Sequence, residues 1–133
     1  MGAFTDYLEN KMLGHLFGTA YTAPTTVYMA LSTTTPTDAG GNVTEPSGNG
    51  YARVAIGNNS TNWNAASGGT VTNKTAITFP EATGSWGTVT HFVLYDAATA
   101  GNALIWGALT ASKAIGTGDT ASFAAGALSI SLD

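Results

Sequence analysis

Hydrophobic positions along this chain follow two periods in turn. Phe4, Leu8, Met12 and Leu16 recur every fourth residue, with Leu13 and Phe17 beside them. That spacing puts them on one stripe of an amphipathic helix. Thr5 is placed to cap it, Asp6 and Glu9 sit in the first turn where the helix dipole favours acids, and Gly14 or Gly18 is placed to end it. The pattern predicts an N-terminal helix within residues 1–18, too short to be stable alone. Its stripe must therefore be buried against the chain's own sheet or against another subunit.

Beyond Pro24 the period changes to two. In 26–32, Val27, Met29 and Leu31 share one face. Segment 51–57 alternates Ala52, Val54 and Ile56 against Tyr51, Arg53 and Ala55. Short strands are expected at 70–73 and 75–79, the second stopped by Pro80. The strongest strand spans 86–95, with Trp86, Thr88, Thr90, Phe92 and Leu94 on one face and Val89, His91, Val93 and Tyr95 on the other. A turn at 96–102 leads to 103–109, which predicts a hairpin. The last strands are 120–124 and 128–132, where Leu128, Ile130 and Leu132 alternate with serines. Many short strands between turns predict an all-β fold, a single β-sandwich or jelly-roll-like domain over 19–133, with the helix part of the same unit. Segment 33–50 is a long loop dense in Pro, Gly and Asn, of a length that is usually functional or mobile. Segment 58–69 is polar and holds Trp63. No internal repeat and no heptad run is present.

Composition changes the picture mainly by subtraction. The 133 residues include four basic and eight acidic side chains, two histidines and no cysteine, for a net charge of −4. Lys11, Arg53, Lys74 and Lys113 lie far apart, so no basic patch for nucleic acid is expected. No apolar run approaches a membrane span. The N-terminus lacks the basic region of a signal peptide, and Asp6 stands where a myristoylation signal needs Ser or Thr. Charged residues are only 9% of the chain. Weak self-repulsion at that charge favours close assembly.

Candidate chemistry is thin. His91 reads as a packed strand residue and His15 as a helix-end donor; neither has a metal-ligand spacing. Glu45, Glu81, Asp96 and Asp119 could pair as a glycosidase requires, but each sits at a turn, where acids ordinarily solvate the chain. The N-x-[ST] matches at Asn42, Asn58, Asn59 and Asn73 are expected by chance in a chain so rich in Asn and Thr. Trp86 and Trp106 are expected in the core, whereas Trp63, among Asn and Ser, is the aromatic to expect at a surface or interface. The expectation is a protein with no catalytic residue, no metal and no cofactor.

Three runs carry a family resemblance: FTDYLENKMLGHLFGTAYTAPTTVYMALSTTTPT, EPSGNGYARVAI and ITFPEATGSWGTVTHFVLYDAATAGNALIWGAL. Together they resemble small virion proteins of tailed bacteriophages, often labelled tail fibre proteins. The resemblance covers nearly the whole chain and implies a virion structural role without catalytic residues. Lacking a stalk or repeat, the chain is expected foremost to be a capsid decoration or cement protein, a homotrimer on the major capsid protein at the head surface. The alternative is a tail fibre or tail-associated module that contacts tail proteins and the host surface. An enzyme is the third reading and would need converging carboxylates such as Glu81 and Asp96. The interface candidates are Leu8, Met12 and Leu16 on the helix, Glu45 in the long loop, Tyr51 and Arg53 just after it, and Trp63.

Overall fold

A computed structural model describes residues 2–132. It is all-β with one short N-terminal helix. The elements are β1 (Gly2–Phe4), α1 (Asp6–Leu16), β2 (Thr26–Ser32), β3 (Val54–Gly57), β4 (Thr70–Thr72), β5 (Ile77–Thr78), β6 (Gly87–Tyr95), β7 (Ala103–Ile115), β8 (Ser122–Phe123) and β9 (Ser129–Ser131). Seven strands form one sheet in the order β3-β2-β6-β7-β1-β9-β4, and β5 pairs with β8 as a small ribbon. The predicted hairpin is β6–β7, antiparallel from Gly87↔Ile115 to Tyr95↔Ala103.

The ribbon packs over the inner face of the sheet. Ile77 and Phe79 share a core with Val27, Met29, Leu31, Phe92 and Leu94. Phe123 meets Phe92 edge-on, at 6.0 Å between ring centroids. The outer face carries a smaller cluster of Ala30, Val93, Tyr95 and Ala103, against which Val43 and Trp106 pack. Val43 belongs to loop 33–50, so the loop lies on that face as a cover. Its backbone groups are paired internally: Thr33 N–H donates to the Thr44 carbonyl at 2.9 Å, and Thr37 N–H to the Gly41 carbonyl at 3.0 Å. The Ser32 hydroxyl accepts from Thr44 N–H at 3.1 Å, and the Thr34 hydroxyl donates to the Asn42 carbonyl at 2.6 Å. A long loop expected to be functional or mobile is thus also a hydrogen-bonded lid on apolar surface.

Several elements depart from the sequence pattern. Phe4, counted in the helical stripe, lies in β1, which pairs antiparallel with β7 and parallel with β9. The helix begins only after Thr5, whose side chain accepts from Leu8 N–H while its hydroxyl donates to the Ala103 carbonyl at 2.7 Å. The cap therefore ties α1 to β7 as well as starting it. Gly18, at φ +109°, ends the helix. Thr19 N–H reaches back to the Gly14 carbonyl at 2.7 Å and Phe17 N–H to the Leu13 carbonyl at 3.0 Å.

Alternation along β6 also breaks. Pairing jumps between Val89↔Lys113 and His91↔Ala108, so β7 bulges and the faces change parity near Thr90. Val89 consequently joins Phe92 and Leu94 in the main core instead of sharing a face with Val93 and Tyr95. The strand expected over 51–57 starts only at Val54, where pairing with β2 begins opposite Met29; beyond that point Leu31 N–H donates to the Tyr51 hydroxyl instead of to a strand carbonyl. Leu132, expected to continue the buried face of β9, is exposed.

Candidate functional site

The seven interface candidates separate into two places, with Leu16 projecting from one of them. Glu45, Tyr51 and Arg53 form a polar node beside the loop cover. Arg53 Nη2 and Nε donate to the two carboxylate oxygens of Glu45 at 2.7 and 3.0 Å, a bidentate pair. Tyr51 O–H donates to Glu45 Oε1 at 2.7 Å and accepts from Leu31 N–H at 3.1 Å. The remaining guanidinium nitrogen donates to the carbonyls of Ala97 and Ala100 at 2.8 and 2.9 Å. The guanidinium also lies 3.7 Å from the centre of the Tyr95 ring. One side chain thus fastens loop 33–50, the β6–β7 turn and the outer sheet face together.

Electrostatics agree with that role. Burial pushes the Glu45 carboxyl up, but hydrogen bonds from Arg53 and Tyr51 and the guanidinium charge outweigh it, and its pKa falls below the ordinary 4.5. Burial, reinforced by the hydrogen bond to Glu45, raises the Tyr51 phenol far above its usual range. All three guanidinium nitrogens and the Tyr51 hydroxyl are engaged in hydrogen bonds, so the node holds the loop, the turn and the sheet face in place.

Leu8, Met12 and Trp63 meet elsewhere. With Phe4, Tyr21 and Ile130 they line an open apolar groove of about 590 Å³ between α1, residues 21–24 and the 58–65 loop. No side chain lining it carries a charge at neutral pH. Trp63 is half-buried at its edge, with its Nε1 donor shielded from solvent and unpartnered among the described residues. Leu8 is buried, but Met12 at the rim is 36% exposed, and beyond it Leu13, Leu16 and Phe17 are 58%, 73% and 79% exposed. The helical stripe is therefore buried for one turn and bare for the rest. Tyr21 and Ile130 were not legible as groove residues, because nothing in sequence sets residues 21 and 130 beside the helix.

Of the remaining candidates for chemistry, all but Glu81 hold structural contacts. Asp96 accepts from the backbone and side-chain amides of Asn102 at 2.7 and 2.9 Å, and Asp119 accepts from Gly116 N–H at 2.8 Å. Glu81 is exposed. His15 Nδ1 accepts from Tyr21 N–H at 3.0 Å, and His91 Nδ1 lies 2.7 Å from the Thr90 hydroxyl with its ring against Trp106. Burial lowers the His91 pKa. Among the described residues no three His, Cys, Asp or Glu side chains converge as a metal site. Trp86 is in the core as expected, whereas Trp106 is half-buried and donates from Nε1 to Asp38 at 3.2 Å.

No curated protein matches the chain. Residues 3–131 match the family described as Podophage GP4 fiber I protein gp80. The match runs from β1 through β9, so it takes in the polar node, the groove and the bare helix end alike. It favours the fibre reading of the sequence over the capsid-cement one. The chain belongs to this family, and is a structural, fibre-type protein of a bacteriophage virion.

Proposed function

We propose that this protein is a structural subunit of the phage tail, a fibre or fibre-associated module that works through contacts with neighbouring tail proteins. The observation that carries the reading is the family match over residues 3–131. The physical features agree with it. Surface charge is sparse, ionisable groups are spent on holding loops, and apolar surface is left open on the helix and in the groove. Such a surface gains by being covered, since association releases water from apolar area without charge repulsion.

Copy number per virion, measured by quantitative mass spectrometry against the major capsid protein, tests this, together with immunogold labelling of whole particles. A few to a few dozen copies with label on the tail is the expected result. A ratio near one per capsid subunit, with label on the head, would overturn the tail assignment and restore the cement reading.

A further inference from the structure

We infer that His15 is an acid-released clasp: its neutral ring holds residues 18–23 as a strap beside the apolar groove, and its protonation frees that strap. Three observations meet in this. The first is the bond itself. Tyr21 N–H donates to His15 Nδ1 at 3.0 Å. A backbone amide can only donate, so the ring nitrogen facing it must carry a lone pair and no proton. An imidazolium has N–H at both nitrogens and accepts at neither. The contact therefore exists in one charge state of His15 only. The second observation is how little else holds the strap. Between Gly18 and Ala23 every residue but Tyr21 is exposed. Two amides tie the strap back to the helix, Thr19 N–H to the Gly14 carbonyl at 2.7 Å and Tyr21 N–H to His15. The first belongs to the helix stop, so the hold on the strap's own backbone is the second.

The third is the position of Tyr21. It lines the groove of about 590 Å³ and also, with Tyr7, Lys11 and Thr19, a smaller cleft of about 360 Å³ between α1 and the strap. No other described residue lines both. Tyr21 is thus a wall between the two, half-buried against the main core, and His15 fixes the backbone that carries it. The surrounding charges set the direction of the switch. Lys11 lies one turn before His15 on the helix, with its ammonium 5.5 Å from the centre of the Tyr7 ring. Burial, then Tyr7 and Asp96 of the β6–β7 turn, raise the Tyr21 phenol above its usual range, so Tyr21 stays neutral where a histidine titrates. His15 itself sits in the last helical turn, where the carbonyl end of the helix dipole favours a cation. A protonated ring therefore has a competing place to go. It turns from accepting at Tyr21 to donating toward the last helical carbonyls. The clasp stabilises the neutral ring, so falling pH opens it. None of this depends on where in the particle the protein sits.

Nuclear magnetic resonance over a pH series tests the clasp, with the ring resonances of His15 reporting its protonation directly. In the parent protein the hydrogen-exchange protection factor of the Tyr21 amide should fall about tenfold, the loss of one hydrogen bond, and should follow the His15 midpoint. The Trp63 indole N–H and the Met12 methyl, both on the groove, should shift with the same midpoint. His15→Ala should leave the Tyr21 amide weakly protected at every pH. His15→Asn sets an amide oxygen near the place of Nδ1 and does not titrate, so the protection it gives should be independent of pH. Position 15 is exposed, and circular dichroism and thermal melts matched to the parent protein verify that both variants fold. Tyr21 protection that is unchanged when His15 takes up its proton overturns the inference. So does undiminished protection in His15→Ala, a pH-dependent fall that persists in either variant, or groove resonances that ignore the His15 titration.

Discussion

Arg53 shows how much of this fold rests on one charged side chain. It fills both oxygens of Glu45, two carbonyls of the β6–β7 turn and the face of Tyr95. Arg53→Ala should lower the free energy of unfolding by about 3 kcal/mol, because it leaves a half-buried carboxylate without its counter-charge, held by Tyr51 alone, and two carbonyls without donors. Urea denaturation measures the loss. Arg53→Lys should recover only part of it, since an ammonium cannot grip both carboxylate oxygens and two carbonyls in one plane. The same node predicts acid sensitivity. The Glu45 pKa is depressed in the folded state, so its contribution is complete above the ordinary value of 4.5. It disappears as the pH falls through the lower folded-state value. Urea midpoints measured on either side of pH 4.5 should therefore fall with acid in the parent protein. Glu45→Gln should be less stable at neutral pH and vary less across that window. Both residues were named from sequence by their place at the loop, but their pairing was not legible. Eight positions apart across a loop, they meet only because the loop doubles back over the sheet.

At the level of elements, two-residue alternation located the strands that are buried on one or both faces, and it failed where a second constraint acts. β2 follows it, with Val27, Met29 and Leu31 in the main core. β6 changes parity near Thr90, opposite the bulge in β7, which no count of apolar positions anticipates. β1 was hidden because Phe4 also fits the helical spacing, while the evidence for a strand lies in its neighbours. A Cβ on Gly2 would stand 2.9 Å from the Phe92 ring and 3.1 Å from an Ile105 methyl. Only the smallest residue lets β1 slide in beside β7. Gly2→Val should therefore destabilise the fold by about 2 kcal/mol through overpacking, read as a lower melting temperature. It should also raise hydrogen exchange at the amides of β7 and β9 that face β1. Helix α1 illustrates the opposite case. Its cap, its first-turn acids and its glycine stop were all legible. The extent of its burial was not, since that is set by how far the sheet reaches beneath it.

The whole molecule is closed by elements from opposite ends of the described chain. β1 sits between β7 and β9, with Gly2 opposite Ile130, so the large sheet cannot be completed until its last strand is available. Long loops must close before those pairings contribute, which slows folding. Refolding from urea, followed by tryptophan fluorescence in stopped flow, should take milliseconds to seconds. A variant truncated before β9 should lack the slow, cooperative phase. Sequence gave the all-β class through turn spacing and alternation, but strand order is a property of distant pairings and was not legible.

The parallel pairing of β1 with β9 has a mechanical consequence. A load applied through Gly2 and Leu132 would pull these two neighbouring strands in opposite senses along their own length. Their hydrogen bonds, and the three antiparallel positions that tie β1 to β7, would then be strained together in shear rather than peeled apart singly. Geometry of this kind makes forced unfolding slow, because a single barrier contains all the bonds at once. A subunit strained between Gly2 and Leu132 in an assembled particle would thus resist extension at the strand that the sequence pattern conceals.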